Sequence, residues 1–182
     1  MMRGQAVGVT DVFIGLGSNC GSAQELLFSA CARIAAIPGI HERARSPIYW
    51  TEPQGVRDQP WFLNCVVHVE ADESVRPIPL LRTFLALEQA LGRKRGPFEQ
   101  RFGPRPIDID LLLFGDEVSD TPACILPHPR MHKRAFVLVP LIDLAPDLLL
   151  YGQPLASHLA KLCWRREGER IYQTEDVESP II

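Results

Sequence analysis

Gly103-Pro104-Arg105-Pro106-Ile107-Asp108-Ile109-Asp110-Leu111-Leu112-Leu113-Phe114-Gly115 carries the alternation that decides how this chain folds. Two prolines and a glycine oppose regular structure as far as Pro106, and the run from Ile107 to Phe114 then has the length of one buried strand. Successive strand side chains point to opposite faces, so Asp108 and Asp110 project together while Ile107, Ile109 and Leu111 face the other way. Two carboxylates on one edge of a core strand repel each other and resist burial, so they require cations. Magnesium suits them, because it takes oxygen ligands, keeps several waters and joins one or two carboxylates to substrate phosphates. An isolated Asp-x-Asp is more often a solvated strand end. Here Arg105 stands three residues before Asp108, and Arg93, Lys94, Arg95 and Arg101 crowd the loop upstream. Arginine forks bind phosphate oxygens and the charge that builds up during transfer, so the surroundings point to a polyphosphate.

Outward from this strand, Gly115-Asp116 is expected to turn the chain into a short partner strand around Val118. Upstream, a helix starting near Pro77 or Pro79 carries Leu80, Leu81, Phe84, Leu87, Ala90 and Leu91 at helical spacing and stops at Gly92. Strands are expected over Glu42–Tyr49 and Leu63–Ala71. In the second, Cys65, Val67 and Val69 share one face, and Asn64, Val66 and His68 the other. Val12 to Gly17 reads as a strand running into a turn, and Ser22 with Glu25 as a capping box for a helix through about Ile37. Thr51–Pro60 and Arg93–Pro104 are rich in Pro and Gly and read as loops, expected to close over bound substrates. Helices near Ala135–Leu141 and Leu155–Leu162 and a strand near Arg170–Gln173 complete an α+β sandwich. The expectation is a single domain over 1–182, with its core at about 12–174 and a loose tail from about 175.

Composition narrows the function. The chain has 182 residues, 46% of them apolar, and a formal charge of −3, which gives no general attraction to nucleic acid or to an acidic membrane. The five cysteines are odd in number and scattered without a Cys-x-x-Cys pair, as in a reduced, cytoplasmic protein. Met1–Thr10 has no apolar core of a secretory signal, and the apolar stretch Ala135–Tyr151 is broken by Pro140, Asp143, Pro146 and Asp147. No Gly-x-x-x-x-Gly-Lys-Ser/Thr loop and no Gly-x-Ser-x-Gly elbow occurs. Cys65-x-x-His68 on a strand does not put both ligands on one face. Pro127 and Pro129 oppose a helical His128/His132 pair, so His128 reads as a loop donor. An RNA-binding sheet and another magnesium-dependent nucleotidyl or glycosyl transferase are the competing classes; the acidic charge and paired aspartates weigh against the first.

Several segments in order resemble the 6-hydroxymethyl-7,8-dihydropterin pyrophosphokinase family. They are Gly15-Leu16-Gly17-Ser18-Asn19, Ser46-Pro47-Ile48-Tyr49, Thr51-Glu52-Pro53-Gln54-Gly55 and Asp58-Gln59-Pro60-Trp61-Phe62-Leu63-Asn64. The strand already quoted follows, then Leu126-Pro127-His128-Pro129-Arg130-Met131-His132-Lys133-Arg134-Ala135-Phe136. The resemblance runs from about Val12 to Asp147.

What the resemblance implies is a ferredoxin-like α+β sandwich with a mainly antiparallel sheet. It also implies transfer of the β,γ-diphosphate of ATP to the pterin hydroxymethyl oxygen, with release of AMP, in folate synthesis. Asp108 and Asp110 would hold two magnesium ions and, with Arg93 and Arg105, serve catalysis. ATP would meet Arg93, Arg95, Arg105, Leu111, His128 and Arg134. The pterin would meet Thr51, Pro53, Gln54 and Asn64, with Phe62 and Phe136 on its two faces. Other folate-pathway enzymes are the expected partners. The chain departs from the family's commonest pattern at Phe102 (often Trp) and Pro106 (often Thr). It departs again at Ala123 and Ile125, where polar adenosine contacts can occur.

Overall fold

The computed structural model describes residues 8–94, 96 and 102–174. Arg95, Arg101 and the expected tail from 175 lie outside them. In chain order the elements are β1 (Val9–Ser18), α1 (Ala23–Ala35), β2 (Ile40–Arg45), β3 (Tyr49–Thr51), β4 (Phe62–Asp72), α2 (Pro77–Ala90) and β5 (Asp108–Phe114). After them come β6 (Ser119–Thr121), β7 (Cys124–Leu126), α3 (Ala135–Leu144), β8 (Leu149–Leu150), β9 (Gln153–Pro154), α4 (Leu155–Leu159), β10 (Trp164–Glu167) and β11 (Arg170–Gln173).

One seven-stranded sheet runs β10-β11-β3-β4-β1-β5, with β2 also paired to β4. Its pairings are antiparallel except that of β11 with β3. The alternation expected along β4 and β5 is present. Leu63, Cys65, Val67 and Val69 pack with Ile107, Ile109 and Leu111 into one core, beneath Leu27, Ala30 and Ile34 of α1 and Leu80 and Phe84 of α2. On the opposite face Val66, Leu112 and Phe13 pack with Val137, Leu138 and Leu141 of α3. The sheet is therefore buried on both sides, and the strand ends between the two helical layers are left to form a site.

Four local expectations are corrected. The strand expected over Glu42–Tyr49 is two strands, because the Val66 N–H donates to the Ser46 hydroxyl in place of a backbone carbonyl and Pro47 has no N–H to give. Ser22 does occupy the N-cap of α1, but it makes no side-chain capping bond, so the expected box is not formed. Gly115-Asp116 does not fold β5 into a hairpin: the Gly115 N–H bonds back to the Asp11 carbonyl, Val118 is 81% exposed, and the hairpin forms one step later between β6 and β7. The helix expected to reach Leu162 ends at Leu159.

Candidate active site

Asp108 and Asp110 stand on one face of β5, and across the ladder each faces a glycine of β1, Gly17 and Gly15 respectively. With no side chain on β1 at those two positions, an open floor lies beside the carboxylates. Gly17 is required by close approach: a Cβ there would lie 2.5 Å from Asn64 Oδ1. The Gly-Leu-Gly sequence thus works inside a strand, as clearance. A cavity of about 260 Å³ opens above it, lined by Arg93, Arg105, Arg130 and Arg134 and by Thr51, Gln54, Phe62, Asn64 and Phe136.

Charge is organised in two tiers around the aspartates. Arg93, 8% exposed, donates to Glu88 Oε1 at 2.9 Å, to the Ile107 carbonyl at 3.2 Å and to Asp108 Oδ1. Glu88, 1% exposed on α2, accepts in turn from the Ile109 N–H at 2.8 Å. Arg105 Nη1 lies 3.3 Å from Asp108 Oδ2, and Arg134 Nη1 lies 3.7 Å from Asp110 Oδ2. Burial pushes Asp108 up, but the Arg105 and Arg93 charges outweigh it and hold the carboxyl below its ordinary value. Asp110 is raised to about 6 by burial and by repulsion from Asp108. Arg134 is lowered to about 10 by burial and by neighbouring Arg130. His128 Nε2 is 3.9 Å from Asp110 Oδ2. Burial and the charges of Arg134 and Arg130 lower that imidazole to about 4, so near neutral pH the contact is not an ion pair.

These carboxylates suit a hard cation. Among the described residues no group of three or more His, Cys, Asp or Glu is placed to hold a metal. A cation here would take its remaining oxygens from water and a ligand, which is how magnesium sits on polyphosphates. An unneutralised Asp110 beside Asp108 is the feature such an ion would relieve.

In the same cavity Asn64 Nδ2 donates to Thr51 Oγ1 at 2.6 Å, both residues being buried. The Arg105 guanidinium lies 5.2 Å from the Phe62 ring centre and that of Arg134 5.3 Å from Phe136, so arginine forks and aromatic faces meet within one cavity. Gln54 Nε2 donates to the Gln173 carbonyl at 3.2 Å, which ties the loop after β3 to β11.

Of the residues expected from sequence, Arg93, Arg105, Asp108, Asp110, Arg134, Thr51, Gln54, Phe62, Asn64 and Phe136 all line this cavity. Leu111 does not: its side chain is 3% exposed in the core on the opposite face, so a ligand could reach only its backbone. Pro53 is buried beside the lining residues Glu52 and Gln54 without lining the cavity itself, and His128 stands behind Asp110. Arg95 lies outside the described residues. Glu88 and Arg130 were missed. Arg130 sits inside the quoted Pro-His-Pro-Arg motif, which could have flagged it; a glutamate on a helix gives no such signal.

The profile of the 7,8-dihydro-6-hydroxymethylpterin-pyrophosphokinase (HPPK) family matches residues 13–146, most of the chain and every cavity residue named above. The chain belongs to this family. A Methylorubrum extorquens HPPK, named 2-amino-4-hydroxy-6-hydroxymethyldihydropteridine pyrophosphokinase, is 47% identical over 155 residues, covering 85% of this chain and 94% of the relative. A Pseudomonas aeruginosa HPPK of the same name is 41% identical over 151 residues, covering 83% and 88%. The Schizosaccharomyces pombe folic acid synthesis protein fol1 is 39% identical over 90% of this chain, which spans 22% of that longer protein. A Plasmodium falciparum HPPK-DHPS crystal structure superposes with a TM-score of 0.65 at 12% identity, covering 87% of this chain and 46% of that one. The HPPK fold is thus shared with a solved structure of very different sequence.

Proposed function

We propose that this protein transfers the β,γ-diphosphate of ATP to the hydroxymethyl oxygen of 6-hydroxymethyl-7,8-dihydropterin, releasing AMP, as a step in folate synthesis. One observation carries the reading: the paired carboxylates of β5 line one cavity together with four arginines and with Asn64, Thr51 and two phenylalanines. A pterin needs hydrogen-bonding partners for its polar edge and apolar surfaces for its rings, and a triphosphate needs forked cations.

Asp108 and Asp110 would hold magnesium brought with ATP. When bound, magnesium neutralises phosphate charge and makes the pterin hydroxyl easier to deprotonate. Arg93 is held in place by Glu88 and keeps Asp108 ionised and oriented. Arg105, Arg130 and Arg134 bind the phosphate oxygens, and Arg105 and Arg134 leave carboxylate contacts of 3.3 and 3.7 Å that phosphate can outcompete. Asn64, held by Thr51, reads the pterin edge while Phe62 and Phe136 cover its faces. The new bond joins the pterin oxygen to the β-phosphorus. The bond from that phosphorus to the oxygen bridging the α-phosphorus breaks, its electron pair leaves with AMP, and the hydroxyl proton passes to solvent water. Positioning and charge stabilisation supply most of the rate.

No helix among the described residues is long and apolar enough to cross a membrane. Its five cysteines are free thiols, which supports a cytoplasmic setting. Kinship with segments of longer folic acid synthesis proteins supports work beside other folate-pathway enzymes. The deciding experiment incubates purified protein with ATP, magnesium and hydroxymethyl-dihydropterin. AMP is expected in step with pterin diphosphate, and ADP, or no nucleotide turnover, would overturn the reading.

A further inference from the structure

A side chain that does not line the cavity, Gln59, ties the loop between β3 and β4 to residue 102. Gln59 Nε2 donates to the Val56 carbonyl at 2.6 Å and to the Phe102 carbonyl at 2.8 Å, and Gln59 Oε1 accepts from Asn19 Nδ2 at 3.0 Å. Both ends of the amide are in use. Asn19, 5% exposed, also donates from Nδ2 to the Pro60 carbonyl at 3.0 Å. Its Oδ1 accepts from the Arg105 N–H at 2.8 Å, and its own N–H donates to the Arg105 carbonyl at 3.2 Å. Three segments distant in sequence meet at these two amides: the end of β1, the β3–β4 loop and residues 102–105.

What Gln59 grips is a residue that would not hold its shape alone. Phe102 has φ +63°, a region that L side chains rarely adopt. Its ring lies so close to Gly55 that an added Cβ there would be 3.1 Å from it, and the Arg130 guanidinium is 5.4 Å from the ring centre. The two segments joined by Gln59 both supply lining residues of the cavity, Gln54 with the flanking Thr51 and Phe62 from one and Phe102 and Arg105 from the other.

We propose that Gln59 is a positioning residue for the transfer. It holds the pterin-side loop in register with residues 102–105, so that the hydroxymethyl group meets the phosphate chain; this rests on the diphosphate-transfer reading above. Asn19 grips the Arg105 backbone through two bonds that do not involve Gln59. Loss of Gln59 therefore uncouples 54–59 from Phe102, while Asn19 still holds the Pro60 carbonyl and both backbone groups of Arg105.

Gln59→Met keeps the length and removes the amide, and Gln59→Glu keeps an acceptor but turns a carboxylate toward two carbonyls. In both, kcat/KM for the pterin is expected to fall roughly tenfold or more. The Kd of a non-hydrolysable ATP analogue should stay within about twofold. Backbone hydrogen exchange in the substrate-free Gln59→Met protein should quicken at 54–62 and at 102–103 together, with the Arg105 amide still protected by Asn19. A pterin kcat/KM within about twofold of wild type, or faster exchange confined to 54–62, overturns the proposal. So does a lower active fraction and melting temperature with the pterin KM unchanged, which marks a scaffold role only. Wild-type protein that makes no AMP, while Gln59→Met still loosens both segments together, would count against the diphosphate reading and for the tie.

Discussion

Glu88 and Arg93, five positions apart at the end of α2 and both buried, face each other at 2.9 Å directly behind the site. The same Glu88 oxygen receives the Ile109 N–H, so one carboxylate fixes both the guanidinium that touches Asp108 and the backbone between the two aspartates. Glu88→Ala takes one of two carboxylates from a buried guanidinium and the acceptor from the buried Ile109 N–H, and is expected to cost about 3 kcal/mol. Glu88→Gln keeps an acceptor for Ile109 and is expected to cost about 1–2 kcal/mol. Urea unfolding should rank the two in that order, and a neutral Glu88→Ala would refute the account.

Asp110 is disfavoured as an anion until a cation arrives, because burial and Asp108 both oppose its charge. Asp110→Asn is therefore expected to stabilise the substrate-free fold at neutral pH, by about 1 kcal/mol after allowing for its partial exposure. The same substitution should abolish diphosphate transfer and magnesium-dependent ATP binding. Asp108→Ala should abolish transfer with the fold intact. Thermal melts with and without magnesium and ATP analogue check both, and an active Asp108→Ala would remove the aspartates from the reaction.

How far these features were legible follows from which physical signals are local. Strict alternation along Ile107–Leu111 is written in the sequence, so the shared face of Asp108 and Asp110 could be read directly. The burial of Glu88 could not, since it depends on α2 lying against β5, and a helix glutamate otherwise reads as solvated. β10 escaped notice because Arg165, Arg166 and Glu167 are exposed on an edge strand and carry no apolar period. The β6–β7 hairpin has strands of three residues, too short for a period to show. Gly15 and Gly17 suggested a turn, whereas β1 continues through them because Asn64 and the aspartates need the space.

Gly17→Ala tests that need for space. Its Cβ would drive Asn64 Oδ1 away, and Asn64 would lose its aim from Thr51, while the backbone of β1 need not move. Pterin affinity should fall roughly ten- to a hundredfold, the loss of one or two well-placed hydrogen bonds. ATP-analogue affinity should change by no more than about twofold. Calorimetric titration with each ligand separates the two, and equal losses for both would mean that the strand itself had shifted.

Tyr49 ties β3 to α3 through its hydroxyl, 2.5 Å from Asp143 Oδ2, and is fully buried. Burial and this bond to a carboxylate push the phenol up to about 12. The unfolded chain would release that proton near pH 10. The folded state thus favours the neutral form, and the contribution to stability is complete below about pH 10 and is lost as pH rises through about 12. Tyr49→Phe should remove this part of the alkaline fall in stability. The phenolate absorbance of wild type minus that of Tyr49→Phe should show a midpoint near 12. A difference midpoint near pH 10 would mean that the hydroxyl is solvated and does not hold α3 to the sheet.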